Sequence, residues 1–213
     1  MKHINTVAIV GGGKLSKQFL SEIIKNEHII GVDRGAYWLI ANGITPDIAI
    51  GDFDSVSASE LREIKQKVKR VEEHPKEKDF TDMELAVEHA ITIQPAEVII
   101  YGAIGSRFDH TMGNIYLLER LFEKGIIGAI HDLNNEVRII TGQITLRKEP
   151  RYCYVSLLPI TASVEITLSG FFYDVTRASI RRGQTLGISN EIHEDEATIE
   201  VHRGKALLIQ SRD

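Results

Sequence analysis

The stretch Ile48-Ala49-Ile50-Gly51-Asp52-Phe53-Asp54-Ser55 places an apolar run directly before a glycine and two aspartates. The apolar run predicts a short buried strand, and the two aspartates then lie on the loop that leaves it. Carboxylates this close repel each other, and their desolvation does not favour folding. A hard cation offsets that repulsion, and Mg²⁺ carrying the phosphates of a nucleotide is the common case. The stretch therefore predicts a metal-dependent phosphate site on the loop that follows a buried strand.

Short apolar runs alternate with helical patterns on both sides of this stretch, up to about residue 140. The predicted strands are Val7–Val10, His28–Val32, Ile48–Ile50, Glu97–Tyr101, Ile126–Ile130 and Val137–Ile140. This alternation predicts a mostly parallel sheet flanked by helices, a Rossmann-like domain over residues 1–140. Ligands of such folds bind beyond the carboxyl ends of the strands. We therefore expect Asp33, Asp52 and the Gly102–His110 loop to converge there.

Capping residues predict where two of the helices begin. Ser57 with Glu60, and Thr81 with Glu84, have the spacing of a capping box, in which each end satisfies a free backbone N–H of the other. The second pair follows an acidic stretch, Lys78-Asp79-Phe80-Thr81-Asp82, and so places Asp82 in the first turn of its helix.

The helical patterns end after about residue 141. The remaining predicted strands are Ile144–Leu146, Tyr152–Leu157, Ser163–Leu168, Ala197–Val201 and Ala206–Ile209. Turn signals such as Ser169-Gly170 and Arg203-Gly204 separate them, which is typical of a small antiparallel β sandwich. We expect this second domain to span residues 141–213, with a short linker near Thr141-Gly142.

Composition excludes several classes of function. The 213 residues carry a net charge of −5, which gives no basic surface for nucleic acid. No apolar run approaches membrane-spanning length, and the short run after Met1 is too brief for a signal peptide. The single cysteine, Cys153, excludes a disulfide framework and a Cys-based zinc site. We expect a cytoplasmic protein.

Each candidate site residue also has a purely structural interpretation. Asp33 is placed to cap the helix that follows it. Arg107 and Asp109 are close enough in sequence to form a local salt bridge. Gly11-Gly12-Gly13-Lys14 matches neither a Walker A motif nor a full GxGxxG, so its glycines either shape a tight turn or let N–H groups approach a phosphate. Lys76-Glu77-Lys78 is interpreted as a solvated loop.

The residues taken together resemble thiamine pyrophosphokinase. The resemblance is carried, in chain order, by Val32–Ala36, Gly43–Asp47, Gly51–Ser55, Lys78–Asp82, Gly102–His110 with Asn114, Leu168–Gly170 with Tyr173, and Gly187–Asn190. It covers nearly the whole chain. Arg34 and Ser106 stand where the family usually has glycine, and Tyr173-Asp174-Val175 replaces the commoner Tyr-Pro-Leu.

The resemblance implies transfer of diphosphate from ATP to the hydroxyl of thiamine, leaving AMP, in a reaction that depends on positioning and charge neutralisation. It implies that Asp52, Asp54 and Asp82 hold Mg²⁺ and act in catalysis together with Arg107. The residues implied to bind ATP are Gly12, Asp33, Arg107, Asp109, His110 and Asn114. Those implied to bind thiamine are Tyr173, Ser189 and Asn190. The family also implies a homodimer with the active site at the subunit interface.

Three other functions remain open at this point. Asp52-Phe53-Asp54-Ser55-Val56 fits the DxDx[TV] signature of Mg²⁺-dependent phosphatases, in which the first aspartate is a covalent nucleophile. A pyrophosphokinase for another hydroxymethyl heterocycle, such as a pterin, would share the α/β half. A non-catalytic nucleotide-binding regulator is the third alternative, although three acidic clusters exceed what binding alone requires.

Overall fold

The computed structural model describes residues 4–213, which divide into two compact units. The first unit ends at Leu133, and the second runs from Asn134 to Asp213. Helices and parallel strands make up the first unit, whereas antiparallel strands make up the second, so the predicted fold class is confirmed. No helix within residues 4–213 is long and apolar enough to span a bilayer.

The first unit is built on a parallel sheet. Its strands are β1 (Thr6–Val10), β2 (His28–Val32), β3 (Ile48–Gly51), β4 (Arg70–Glu73), β5 (Glu97–Tyr101) and β6 (Ile127–His131). They lie in the order β4-β3-β2-β1-β5-β6, and every neighbouring pair is parallel. The strand order reverses between β1 and β5. In open α/β sheets this switch point opens a crevice at the carboxyl ends of the strands.

Helices connect these strands. They are α1 (Leu20–Ile23), α2 (Arg34–Ala41), α3 (Ala58–Lys67), α4 (Asp82–Ile93) and α5 (Phe108–Glu123), with a 3₁₀ turn at Lys17–Phe19 before α1. The predicted helix starts are confirmed: Ser57 and Glu60 form a complete capping box on α3. The Thr81 hydroxyl accepts the Glu84 N–H at 3.1 Å and so fixes where α4 begins.

The second unit is an antiparallel arrangement around one long strand. Its strands are β7 (Asn135–Arg147), β8 (Tyr154–Pro159), β9 (Ser163–Ser169), β10 (Val175–Arg181) and β11 (Glu196–Ser211). The pairing shifts between Val201 and Ala206, so that the first half of β11 pairs with β9 and the second half with β8. Strand β7 pairs with both halves. Alternate residues of these strands enclose an apolar core of their own.

One predicted break in the chain is wrong. Val137–Ile140 is not the last strand of the α/β half, and Thr141-Gly142 is not a linker, because both lie inside β7. Gly142 has φ 63° and lies opposite Val201. A Thr-Gly pair is a local signal for a break, but the partner strand β11 supplies hydrogen bonds on both sides of it, so pairing continues through the glycine.

Candidate active site

A cavity of about 570 Å³ lies at the switch point of the first unit. Two glycine-containing loops form its floor: Gly11 donates its N–H to the Tyr101 carbonyl at 2.8 Å, and Gly13 donates to the Gly102 carbonyl at 2.9 Å. A Cβ on Gly13 would lie 2.5 Å from that Gly102 oxygen. The glycines are therefore required for close loop packing, which supports the tight-turn interpretation, and Gly12 between them lines the cavity.

Three carboxylates meet at the side of this cavity. Asp33 follows β2, Asp52 follows β3, and Asp82 begins α4; one oxygen from each lies within 4.8 Å of the others. We call Asp33, Asp52 and Asp82 the carboxylate cluster. Each is partly buried. The tertiary fold thus brings together three acids that are far apart in sequence.

Asp33 is held in the cluster by unusual backbone geometry. Its φ of 47° and ψ of −121° are sparsely populated for a residue with a side chain. Its carboxylate does not cap α2; Oδ1 instead accepts the N–H of Phe53, which itself has φ 56°, at 3.0 Å. A Cβ on Gly51 would lie 1.9 Å from the same oxygen. The glycine before the Asp-x-Asp pair therefore makes room for Asp33.

The surroundings of Asp33 favour its neutral form. Burial raises the pKa of this carboxyl to about 7, with a further rise from the negative charge of Asp82 and a smaller one from Asp52. The hydrogen bond from Phe53 acts in the opposite direction. A cation bound at the cluster would offset the negative charge of the neighbouring carboxylates and so favour the ionised form of Asp33.

This raised pKa predicts that the stability of the metal-free protein depends on pH. Folded Asp33 retains its proton between pH 4 and 7, where the unfolded chain has lost it, so the free energy of unfolding falls as pH rises through this range. Allowing for partial solvent exposure, we expect Asp33 to contribute about 1–3 kcal/mol to this fall.

Thermal unfolding of the EDTA-treated protein from pH 4 to 8 measures this effect. Asp33→Asn removes the titrating group, so its unfolding free energy should fall less with pH than that of the parent. Parallel pH profiles for the two proteins would contradict the assignment.

Asp54, the second aspartate of the Asp-x-Asp pair, lies outside the carboxylate cluster. Its backbone N–H donates to Asp52 Oδ1 at 3.0 Å, a short turn that points its own side chain away. That side chain is 49% exposed and pairs with Lys76 at 2.9 Å. The hydrogen bond and charge of Lys76 lower the pKa of Asp54.

Lys78 is a further residue of the site, and its prediction as part of a solvated loop is wrong. Its side chain is 13% exposed, and Nζ lies 2.8 Å from Asp82 Oδ1 and 3.8 Å from Asp52 Oδ2. The available signal was its position four residues before Asp82, next to the start of a helix. Lys78 therefore supplies positive charge to the carboxylate cluster.

The carboxylate cluster fits a hard divalent cation. All of the side-chain atoms that it offers to a metal are carboxylate oxygens, the ligand atoms that Mg²⁺ prefers. Oδ1 of Asp82 is buried and receives no hydrogen bond from residues 4–213, since Lys78 approaches it outside hydrogen-bond geometry. An ammonium already close to the cluster shows that this place attracts a cation. The residues present can thus hold a metal with Asp52 and Asp82 as ligands.

The loop after β5 brings further predicted residues to the cavity. Asn114 donates its side-chain N–H to the Ala103 carbonyl at 2.7 Å, and the Thr111 hydroxyl accepts the Gly105 N–H at 3.3 Å. These bonds from α5 hold the loop in place. Arg107, His110 and Asn114 line the cavity.

Arg107 and Asp109 form the local salt bridge that was one interpretation of the sequence. Nη2 of Arg107 lies 2.6 Å from Asp109 Oδ2, and both side chains are about two-thirds exposed. The hydrogen bond from Arg107 lowers the pKa of Asp109 to about 2. Asp109 thus orients the guanidinium at the mouth of the cavity, where the planar group is suited to phosphate.

The second unit has an apolar cavity of about 580 Å³, lined by Tyr173 and Asn190 among other residues. Asn190 is buried, and its side-chain amide is bonded in both directions to the backbone of Tyr173, at 3.1 and 2.9 Å. Tyr173 itself is 65% exposed. Ser189 is exposed and has φ 61°. Asn190 therefore positions Tyr173 at the cavity.

Two family models match the chain. The model "Thiamin pyrophosphokinase, catalytic domain" matches residues 19–128, and "Thiamin pyrophosphokinase, vitamin B1 binding domain" matches residues 141–206. The chain belongs to the thiamine pyrophosphokinase family. The family resemblance noted from the sequence is thereby confirmed. As a thiamine pyrophosphokinase family member it is an enzyme, a thiamine diphosphokinase, rather than a phosphatase or a non-catalytic regulator.

Full-length relatives agree with this assignment. The thiamine pyrophosphokinase of Bacillus subtilis is 34% identical and is covered completely by 99% of this chain. The crystal structure of the B. subtilis enzyme aligns with a TM-score of 0.90 over 98% of this chain and 100% of that one. That of the Geobacillus thermodenitrificans enzyme gives 0.86 at 35% identity over 98% of each chain. Both domains of the thiamine pyrophosphokinase family are therefore represented here.

Proposed function

We propose that this thiamine pyrophosphokinase uses Mg²⁺ and ATP, and that its site lies on the residues described above. The hydroxyl oxygen of thiamine forms a bond to the β-phosphorus of ATP, the bond from that phosphorus to the α–β bridging oxygen breaks, and AMP leaves. The hydroxyl proton passes to a nearby base, for which the cluster carboxylates are candidates. The observation that carries the proposal is the carboxylate cluster beside a cavity at the switch point.

The metal ligands we propose are Asp52, Asp54 and Asp82. When bound, Mg²⁺ neutralises phosphate charge and orients the diphosphate for in-line attack. Asp52 and Asp82 are already close together, and Asp54 adjoins Asp52 through one backbone hydrogen bond. Binding of Asp54 to the same ion would require a side-chain rotation that breaks its exposed pair with Lys76, and exposed pairs of this kind cost little to break.

The remaining residues bind the two substrates. For ATP we propose Gly12, Asp33, Arg107, Asp109, His110 and Asn114, in the nucleotide-binding and catalytic domain. Arg107, oriented by Asp109, binds phosphate through its planar group. For thiamine we propose Tyr173, Ser189 and Asn190, in the thiamine-binding domain. The exposed ring of Tyr173 is available for stacking on a thiamine ring, and Asn190 acts by holding Tyr173 in position.

The products of a single incubation test the proposal. Mg-ATP and thiamine should give equal amounts of AMP and thiamine diphosphate, and EDTA should stop the reaction because it removes the cation from the carboxylates. Product identity is read by ion-exchange chromatography. ADP with thiamine monophosphate would contradict diphosphate transfer, and faster use of a hydroxymethyl pterin than of thiamine would contradict the substrate.

We also propose that the enzyme is a homodimer with its active site at the subunit interface. The apolar cavity of the second unit has a rim of exposed large apolar and aromatic side chains, which supports the proposal that a second subunit covers it. These are Phe172, Tyr173, Leu186 and Ile188, between 45% and 74% exposed. The homodimer and the cytoplasmic location both remain predictions.

Mixed dimers test the shared site. One variant carries Asp82→Asn, and the other carries Tyr173→Ala with Ser189→Ala. Activity is assayed at thiamine concentrations far below saturation. If each site combines the catalytic domain of one subunit with the thiamine-binding domain of the other, a mixed dimer has one site free of lesions. Co-refolded, purified mixed dimers should then regain up to about half of the activity of the unsubstituted dimer, because one of their two sites is intact. Verified mixed dimers that stay as inactive as the variants would place the whole site within one subunit.

A further inference from the structure

Three oxygen atoms lie near the ammonium group of Lys78. Nζ lies 2.8 Å from Asp82 Oδ1 and 3.8 Å from Asp52 Oδ2, and it donates a hydrogen bond to the Pro75 carbonyl at 3.2 Å. The side chain is only 13% exposed, as is that of Asp52. An ammonium in this position offsets part of the negative charge of two carboxylates that would hold a metal.

We propose that Lys78 is a tethered counterion that occupies the carboxylate cluster in the metal-free enzyme and competes with the divalent cation for it. A lysine side chain is a compact charge on a flexible four-carbon stem, so it can leave the cluster without unfolding its loop. A divalent cation and an ammonium cannot share Asp82 Oδ1 at close range because like charges repel. Lys78 is therefore a positioning residue that sets the affinity of the site for free metal. This inference rests on the metal site proposed above.

Displacement of Lys78 by a metal ion would also change how its loop is held, because Lys78 donates a hydrogen bond to the Pro75 carbonyl of that loop. Lys78 ties its loop to the carboxylate cluster, and the same loop is fixed at its start by the His74 N–H, which donates to the Gly51 carbonyl at 2.9 Å. Release of Lys78 frees the middle of the loop while its start stays attached to β3. The released ammonium then stands beside the cavity, where it is available to the phosphates that arrive with the metal.

Lys76 provides a matched control on the same loop. It also pairs with an aspartate, Asp54 at 2.9 Å, but its side chain is 75% exposed. Exposed pairs contribute little because water and salt screen them. Removal of the Lys76 charge should thus leave the affinity of the carboxylate cluster for metal nearly unchanged, although the two substitutions alter the net charge equally.

Isothermal titration of the apoenzyme with Mg²⁺, without ATP or thiamine, tests the proposal. Lys78→Met should bind Mg²⁺ more tightly than the parent, on the order of tenfold, because no ammonium has to be displaced. Its melting temperature without metal should be lower, and the rise caused by Mg²⁺ larger. Lys78→Arg, which keeps the charge, and Lys76→Met should both resemble the parent.

Other results would distinguish failure of the Lys78 competition from failure of the proposed metal site. Equal or weaker Mg²⁺ binding by folded Lys78→Met would overturn the competition while leaving the metal site in place. Equal tightening by Lys76→Met would also overturn it, because a lysine that lies outside the carboxylate cluster would then produce the same gain. If neither the parent nor Lys78→Met binds Mg²⁺ or Mn²⁺ in an Asp82-dependent way, the metal site and the inference both fail.

Discussion

Asp52→Asn and Asp82→Asn should each lower kcat by on the order of a hundredfold or more. Each change removes a charged oxygen from the proposed metal site while nearly keeping the shape of the side chain, so several kcal/mol of transition-state stabilisation are lost. Steady-state production of AMP at saturating substrates measures the effect. Melting temperatures should stay close to that of the parent, because the loss of an ion pair to Lys78 is offset by reduced repulsion within the cluster.

Glu73→Gln is the matched control for these variants. Glu73 ends β4, the strand next to β3, but its carboxylate pairs with Lys65 at 2.7 Å and is about half exposed. This variant should keep a near-parent kcat. Near-parent turnover in both Asp52→Asn and Asp82→Asn would remove the cluster from the mechanism, and a large loss in Glu73→Gln would show that any carboxylate at this edge matters.

Gly35→Ala should destabilise the protein by about 3 kcal/mol or more, which corresponds to a melting temperature roughly 6–12 °C lower. Gly35 is the second residue of α2, and a Cβ there would lie 2.0 Å from the Val10 carbonyl oxygen and 2.7 Å from that of Gly11. Both obstacles are backbone atoms, so the helix and the cavity floor would have to separate. Thermal unfolding measures the loss, and turnover should fall with it.

Gly113→Ala controls for the effect of a glycine-to-alanine change in a helix. Gly113 lies within α5, and a Cβ there would have no heavy atom within 4 Å apart from its chain neighbours and the backbone of its own helix. Alanine has the better helix propensity, so this variant should be neutral or more stable by up to about 1 kcal/mol. If the two alanine variants melt at the same temperature, the close approach of Gly35 to β1 does not limit stability.

Much of the fold and part of the site follow from short-range signals. The alternation of apolar runs with helical patterns predicts the parallel strands, and the capping residues Ser57 and Thr81 predict where α3 and α4 begin. These signals can be read from a single sequence because each depends on residues within about four positions of one another. Carboxylates at strand ends are predictable for the same reason: parallel strands bring their carboxyl ends to one edge, which places Asp33 and Asp52 together.

Other features depend on contacts between distant segments. The continuity of β7 through Gly142 requires β11 as a partner, and the sequence shows only the local break signal. Asn190 is locally a turn residue, and only the folded chain directs its amide to Tyr173. In both cases the deciding hydrogen bond joins residues that are more than fifteen positions apart.

The sequence by itself determined that carboxylates meet at the ligand-binding edge of a parallel sheet. Only the tertiary structure decided which charges face each other there. Positive φ values at Asp33 and Phe53 turn one aspartate into the cluster, and the turn after Asp52 directs Asp54 outward. Lys78 lies beside Asp82 and Asp52 because burial strengthens the attraction between opposite charges. The spacing of four residues to Asp82 is compatible with a pair, but burial is a property of the folded chain that this spacing does not reveal.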